Sequence, residues 1–173
     1  MKKASILSII SRESNTGKTT FIQGIVPKLT RRGYKIMTLK YSCYDFNIDY
    51  KNTDSYKHFN SGAVRTVLVG PQKCAVIEQT NRHKEIYEIV NSYNDIDLII
   101  AEGFRNINEP TIEIIRESIT KKIITSRKNL IAIAADTDDL KTTAPIYNLN
   151  DYCRICDFIE NTLLNRKVLN ITG

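Results

Sequence analysis

A short polar run is the part of this sequence whose residue types and order point most clearly to chemistry. Gly17 lets a phosphate approach the backbone, Lys18 carries a flexible positive charge, and Thr19 offers a hydroxyl suited to Mg²⁺. A phosphate site also needs converging amides and the positive end of a helix. The run predicts such a site, and its members are Asn15, Thr16, Gly17, Lys18, Thr19 and Thr20.

Two residues ahead of this run differ from the full phosphate-loop pattern G-x-x-x-x-G-K-[ST]. Arg12 stands where that pattern has its first glycine, and Glu13 adds a carboxylate close to the expected phosphates. If Arg12 had to adopt a positive φ, strain of about 1 kcal/mol would follow. Repulsion from Glu13 would also weaken the binding of an anion, so we expect real but modest nucleotide affinity.

The residues around the run predict the elements that position it. Ala4–Ile10 is a short apolar strand, and apolar residues then recur at helical spacing until the helix ends near Gly33. Tyr34–Lys40 is the next strand. A strand, a helix and a second strand in this order form a βαβ unit, which predicts a parallel sheet.

The rest of the chain extends the same pattern, with one insertion. A short helix is predicted near Asp54–Asn60, a β-hairpin from Ala63–Val69 and Lys73–Glu78, and a helix over Lys84–Tyr93. Further strands at Ile96–Ala101, Thr111–Arg116 and Leu130–Ala135 precede a last helix, Asp151–Leu164. We therefore predict one α/β domain, residues 1–173, with the three-layer P-loop NTPase fold: a mainly parallel sheet and an inserted antiparallel hairpin.

Carboxylates at strand ends are the candidates for holding Mg²⁺ or orienting water. Glu102 ends the apolar strand Ile96–Ala101, in the crevice where open α/β sheets bind ligands. Asp45, just after the second strand, is the next candidate metal ligand and catalytic carboxylate. Arg105 either binds an anion or is a solvated arginine. Asp136, after Leu130–Ala135, either reads guanine or caps a turn.

Composition narrows the function classes. The 25 Lys+Arg and 19 Asp+Glu give a formal charge of 25 − 19 = +6, but the basic residues are dispersed, so we expect no nucleic-acid partner. No apolar stretch reaches the roughly 18 residues of a membrane span, and we expect a cytoplasmic protein. Helix packing is the preferred role for Cys153 and Cys156, with metal or redox work as the alternative.

Motifs along most of the chain occur in the same order in one protein family. The sequence resembles the molybdopterin-guanine dinucleotide biosynthesis protein B family, small P-loop GTP-binding proteins of molybdenum cofactor maturation. The resemblance rests on 15–20, Ile25-Val26-Pro27-Lys28-Leu29, Arg32-Gly33-Tyr34, Leu39-Lys40, Asp45, Asp54-Ser55-Tyr56, Gly62-Ala63, Asp97–Phe104, Ile112–Arg116 and Ile131–Asp136.

The resemblance implies a homodimeric protein that binds GTP and Mg²⁺ with weak GTPase activity and works beside the guanylyltransferase that joins GMP to molybdopterin. The phosphate loop would be Gly17 to Thr20, and Lys40, Asp45 and Glu102 would match further site positions. The family often has histidines after the position of Lys40, where this chain has Tyr41-Ser42-Cys43-Tyr44.

Two other classes compete with this interpretation. A small phosphotransferase would need an arginine-rich lid over the transferred group, for which only Arg116, Lys121-Lys122 and Arg127-Lys128 are available. A partition-type ATPase on DNA would carry an extra lysine near the start of the loop, where this chain has Glu13. DNA binding that weakens steeply with salt would favour that class.

Overall fold

The computed structural model describes residues 4–165, which form two compact units. The first unit combines the residues up to Tyr41 with those from Ser92 onward, and the second is Ser42–Asn91. The expectation of a single domain stays a prediction. In chain order the elements are β1 (Ser5–Ile10), α1 (Lys18–Arg31), β2 (Ile36–Lys40), α2 (Asp54–Asn60), β3 (Arg65–Val69), β4 (Cys74–Glu78), α3 (Ile86–Val90), β5 (Leu98–Glu102), β6 (Thr111–Ile115), β7 (Leu130–Ala135), β8 (Ile146–Asn148) and α4 (Tyr152–Ile159), which continues as a wider π-helical turn, Glu160–Leu164.

The first unit is built on a six-stranded sheet in the order β2-β5-β1-β6-β7-β8, in which every neighbouring pair is parallel. The predicted α/β fold with a mainly parallel sheet is therefore confirmed. Because the strands are parallel, all their carboxyl ends lie at one edge. The residues that follow β1, β2, β5, β6 and β7 thus share that edge.

The core of this unit packs α1 and α4 on one face of the sheet. Leu7 and Ile9 of β1 belong to the same buried cluster as Ile25 and Leu29 of α1 and Ile155 of α4. The period of two along the strand and of 3.6 along the helices brings these side chains together. Burial of this apolar surface holds the amino end of α1 at the carboxyl edge of the sheet.

One charged residue lies inside the apolar sheet. Glu113, in the middle of β6, is fully buried, and its carboxylate accepts hydrogen bonds from the amides of Ile124 and Thr125 and from the Thr125 hydroxyl, at 2.6–3.2 Å. Several donors compensate the loss of hydration that burial of a charge entails. Glu113 thereby anchors the connection from β6 to β7.

The second unit contains the predicted hairpin. Strands β3 and β4 pair antiparallel with Val67 opposite Val76, and helix α2 precedes them with the predicted bounds. The Thr53 side chain caps α2 by accepting from the Tyr56 amide. Helix α3 is shorter than the predicted Lys84–Tyr93 at both ends, because the chain enters it only at the Glu85 cap and leaves it at Asn91.

The structure contains one strand that was not predicted, and it corrects the helix-packing prediction for one of two cysteines. The strand β8 was not predicted, because three residues at the sheet edge carry too little periodicity. The two cysteines do not share a buried face: Cys156 is buried, which raises the pKa of its thiol to about 11, whereas Cys153 is exposed with the Lys28 ammonium 3.4 Å away.

None of the helices within residues 4–165 combines the length and the apolar character that crossing a bilayer requires.

A polar cluster ties the end of α1 to the last helical turns. The Tyr34 hydroxyl donates to Glu160 at 2.5 Å, and Arg32 bridges Glu160 and Asp157 at 2.7 and 2.6 Å. Burial first, and then the bond to Glu160, raise the pKa of Tyr34 from 10.0 to about 12.

This shift predicts a pH dependence of stability. A phenol whose pKa is higher in the folded than in the unfolded chain stabilises the fold fully below pH 10, and this contribution is lost as the pH rises from 10 to 12. Urea unfolding of wild type and Tyr34→Phe should therefore give a stability difference that shrinks across that window. A difference that stays constant from pH 9 to about 12 would contradict the assignment.

Candidate functional site

The loop between β1 and α1 curls around one carbonyl oxygen. The carbonyl of Glu13 accepts from the Ser11 hydroxyl at 2.6 Å and, at 3.5 Å, from that of Thr16. Asn15 and Gly17 adopt left-handed backbone, with φ of 57° and 97°, as their residue types permit. This geometry turns the chain back on itself just before the first helical residue, Lys18.

The side chain of Lys18 folds over this loop. Its ammonium lies 2.7 Å from the Ser11 hydroxyl and 3.4 Å from the Glu13 carbonyl. Burial lowers the pKa of Lys18; Glu102 opposes this, and Arg105 and Lys40 add to it. Within residues 4–165 no carboxylate lies in ion-pair contact with this ammonium, so its direct partners there are neutral oxygens.

Glu102 connects three elements at the edge of the sheet. One oxygen of its carboxylate accepts from the Thr19 hydroxyl at 3.0 Å and lies 3.4 Å from the ammonium of Lys40. These residues come from the end of β5, the first turn of α1 and the end of β2. The structure thus brings together three of the residues that the sequence predicted.

The oxygen donors at this point fit a hard cation. Mg²⁺ prefers oxygen ligands and commonly takes only one or two from the protein, the others being water and phosphate oxygens. The Thr19 hydroxyl and the Glu102 carboxylate supply two such oxygens. Among the described residues no group of three or more His, Cys, Asp or Glu side chains could hold a metal ion.

Arg105 contacts the backbone at the start of the loop. Its guanidinium donates to the carbonyls of Ser11 and Arg12, at 3.0 and 2.7 Å. The side chain is exposed and holds the start of the loop, and the predicted anion contact stays a prediction.

Arg116, predicted as the end of a strand and as a candidate lid residue, directly follows β6 and contacts the loop. It donates to the carbonyl of Thr16 at 3.3 Å and lies 3.6 Å from the Asp136 carboxylate. The other oxygen of Asp136 accepts from the Glu117 amide at 2.8 Å. Arg116 lies at the carboxyl end of a parallel strand, as Glu102 does, and this position was the signal that could have identified it.

The two unusual loop residues compensate each other. Of the non-glycine residues described, only Asn15 and Asn52 have a positive φ, so Arg12 does not carry the strain that a left-handed backbone would impose. Its guanidinium pairs with the Glu13 carboxylate at 3.1 Å. The negative charge of Glu13 therefore has a partner within the loop itself.

The functional roles of all these residues stay predictions, and two candidates lie apart from the contacts described above. Thr20 lies in the first turn of α1 and is exposed, as a residue beside an α-phosphate would be. Asp45 belongs to the second unit, where it is exposed and its carboxylate accepts from the Phe46 amide at 3.0 Å.

These features define an α/β protein with a mainly parallel sheet and a basic loop-helix junction at the carboxyl edge of that sheet. The chain belongs to the family described as molybdopterin guanine dinucleotide synthesis protein B, whose sequence pattern matches residues 6–136. The family predicted from the sequence is therefore confirmed.

Individual relatives agree with this assignment over nearly the whole chain. The molybdopterin-guanine dinucleotide biosynthesis adapter protein of Escherichia coli (strain K12) is 28% identical, with 84% of this chain and 86% of the relative covered. Its Haemophilus influenzae namesake is 25% identical, with 89% and 87% covered. A crystal structure of molybdopterin-guanine biosynthesis protein B superimposes with a TM-score of 0.72 at 28% identity, covering 91% of this chain and 99% of that one.

Proposed function

We propose that this chain is a GTP-binding accessory protein of molybdenum cofactor biosynthesis, acting in the assembly of molybdopterin guanine dinucleotide, with weak or absent GTPase activity. The family and the adapter proteins that resemble it support the pathway. The loop geometry supports the nucleotide.

The observation that carries the proposal is the position of the Lys18 ammonium. It lies over the loop, bonded to a hydroxyl and a carbonyl, next to the amino end of α1. A phosphate can take the place of these neutral acceptors and gain a charge-assisted hydrogen bond. The partial positive charge at the helix start adds to the attraction.

Thr19 and Glu102 would hold Mg²⁺ beside the phosphates, and the metal role predicted for Asp45 from the sequence stays a prediction. The bound ion would neutralise phosphate charge. Lys40, 3.4 Å from Glu102, compensates the carboxylate and lies close enough to Lys18 to lower its pKa.

The contacts of Glu102 also support slow turnover. One of its two carboxylate oxygens contacts both the Thr19 hydroxyl and the Lys40 ammonium, at 3.0 and 3.4 Å. A carboxylate engaged in this way is better suited to holding a ligand than to removing a proton from water. Hydrolysis would then be a minor activity, and the guanine nucleotide would act chiefly as a bound ligand.

The second unit offers a surface for protein partners. The hairpin exposes Val67 and Val69 of β3 and Val76 of β4, with exposed fractions of 52%, 83% and 56%. Apolar side chains on an exposed hairpin are typical of an interface. We infer a homodimer and a guanylyltransferase partner in the cytoplasm.

Calorimetry tests the proposal directly. Purified protein is titrated with GTP and with ATP, each with and without Mg²⁺, and compared with Glu102→Gln and the control Glu109→Gln, another acidic residue of the first unit. We expect GTP binding that Mg²⁺ strengthens, and a Mg²⁺ effect that falls about tenfold in Glu102→Gln only, since a charged ligand becomes neutral.

Three results would contradict parts of this proposal. If neither nucleotide reaches saturation near millimolar concentration, the proposal of nucleotide binding is wrong. A clear preference for ATP would contradict the assignment of guanine. Phosphate transfer to a nucleoside, with no hydrolysis in its absence, would favour a small phosphotransferase. That class has less support, since Arg116, one of its candidate lid residues, is bound to Thr16 and Asp136.

A further inference from the structure

The Thr16–Gly17 peptide leads into Gly17, the N-cap residue of α1, and it is held by a side chain from another element. Arg116 donates to its carbonyl through Nε at 3.3 Å. In a trans peptide the carbonyl and the amide hydrogen point in opposite directions. A guanidinium that fixes the Thr16 carbonyl on one side therefore directs the Gly17 amide to the other side.

The same guanidinium occupies the space into which a side chain at Gly17 would extend. A Cβ atom at this position would lie 3.3 Å from Nη2 of Arg116, and the backbone has a φ of 97°. Glycine is thus favoured twice, by the left-handed conformation and by the close arginine. The arginine and the loop form one packed unit rather than two neighbouring surfaces.

Asp136 restrains the arginine in turn. One carboxylate oxygen lies 3.6 Å from Nη1 of Arg116, and the other accepts from the Glu117 amide at 2.8 Å. The hydrogen bond from the Glu117 amide fixes the carboxylate, and Glu117 is the residue next to Arg116. Both oxygens are therefore engaged at the end of β6, in the same unit of the structure as the loop.

We propose that Asp136 and Arg116 are positioning residues that orient the Gly17 amide toward the phosphates, and that Asp136 acts through Arg116 instead of reading guanine. This inference rests on the proposed function, since it assigns a role in the same nucleotide site. Arg105 holds the carbonyls of Ser11 and Arg12 at the other end of the loop, so the loop is clamped at both ends.

The two roles of Asp136 predict different selectivity. A carboxylate that reads the base would contribute to the binding of GTP and not to the binding of ATP or inorganic tripolyphosphate. A carboxylate that acts through Arg116 affects the phosphate cradle, so its loss weakens all three ligands alike. We expect Asp136→Asn and Arg116→Gln each to weaken all three by about fivefold to tenfold, the size of one lost hydrogen bond.

The experiment combines calorimetry with an NMR readout of the loop. Binding of GTP, ATP and tripolyphosphate is measured for wild type, Asp136→Asn, Arg116→Gln and the double variant, with Asp138→Asn and Arg127→Gln as exposed controls. The amide resonance of Gly17 is followed in each protein without ligand. We expect it to move in both single variants and in neither control, and the double variant to lose no more affinity than Arg116→Gln alone.

Two outcomes would overturn the inference. A loss confined to GTP in Asp136→Asn would make it the base-reading residue. A Gly17 resonance that moves in Arg116→Gln but not in Asp136→Asn would show that the carboxylate does not act through the arginine. If the wild type binds none of the ligands, the proposed function fails, and the Gly17 resonance alone still decides whether this pair orients the loop.

Discussion

Lys18→Ala is expected to weaken GTP binding about a hundredfold, which is the size of one strong charge-assisted hydrogen bond. The ammonium lies over the loop with a hydroxyl at 2.7 Å and a carbonyl at 3.4 Å as its direct partners. A phosphate would replace both with a charged acceptor. Calorimetry at fixed Mg²⁺ measures the change, and urea unfolding checks that the fold is retained.

Lys28→Ala is the matched control for this prediction. Lys28 lies on the same helix, but its ammonium is 3.4 Å from the sulfur of Cys153, which belongs to α4. Its replacement should leave GTP affinity unchanged. Because burial lowers the pKa of Lys18, the Lys18→Ala substitution should leave the free energy of unfolding unchanged or raise it slightly. Unchanged GTP affinity in Lys18→Ala would remove the phosphate site at this loop.

The sequence predicts the features that depend on local pattern. Apolar spacing indicated the βαβ unit, and turn residues with alternating strands indicated the hairpin, because each feature is encoded by consecutive residues. The place of Glu102 was also predictable, since it follows a strand buried on both faces. The parallel sheet then explains why Glu102 meets Thr19, 83 positions away in the chain.

The contacts that organise the loop could not be predicted in the same way. Arg116 meets Thr16 across 100 positions, and the choice of this arginine over Arg127 or Lys128 depends on which residue directly follows β6. The exposed position of Cys153 depends on how α4 is rotated against α1. Such features depend on packing between elements, which periodicity reports only as a face and not as a contact.

A tight contact between α1 and α4 leads to the largest stability effect that we expect. A Cβ atom on Gly24 would lie 2.4–2.6 Å from three ring atoms of Tyr152. The ring itself packs edge-on against Phe21, with centroids 6.3 Å apart, so it has little room to move. Gly24→Ala should therefore lower the free energy of unfolding by about 2 kcal/mol, as overpacked cores do.

The sign of this effect should reverse when the ring is removed. Gly24 has an ordinary helical position, and alanine is about 1 kcal/mol more favourable than glycine inside a helix. In a Tyr152→Ala background, Gly24→Ala should raise the free energy of unfolding by about that amount, measured by urea unfolding. Gln23→Ala, at an exposed neighbouring position, is the control and should change little in either background. If Gly24→Ala destabilised both backgrounds equally, the ring would not be the cause. If the sign does reverse, the glycine is present to let α4 approach α1, the helix whose amino end carries Lys18 and Thr19.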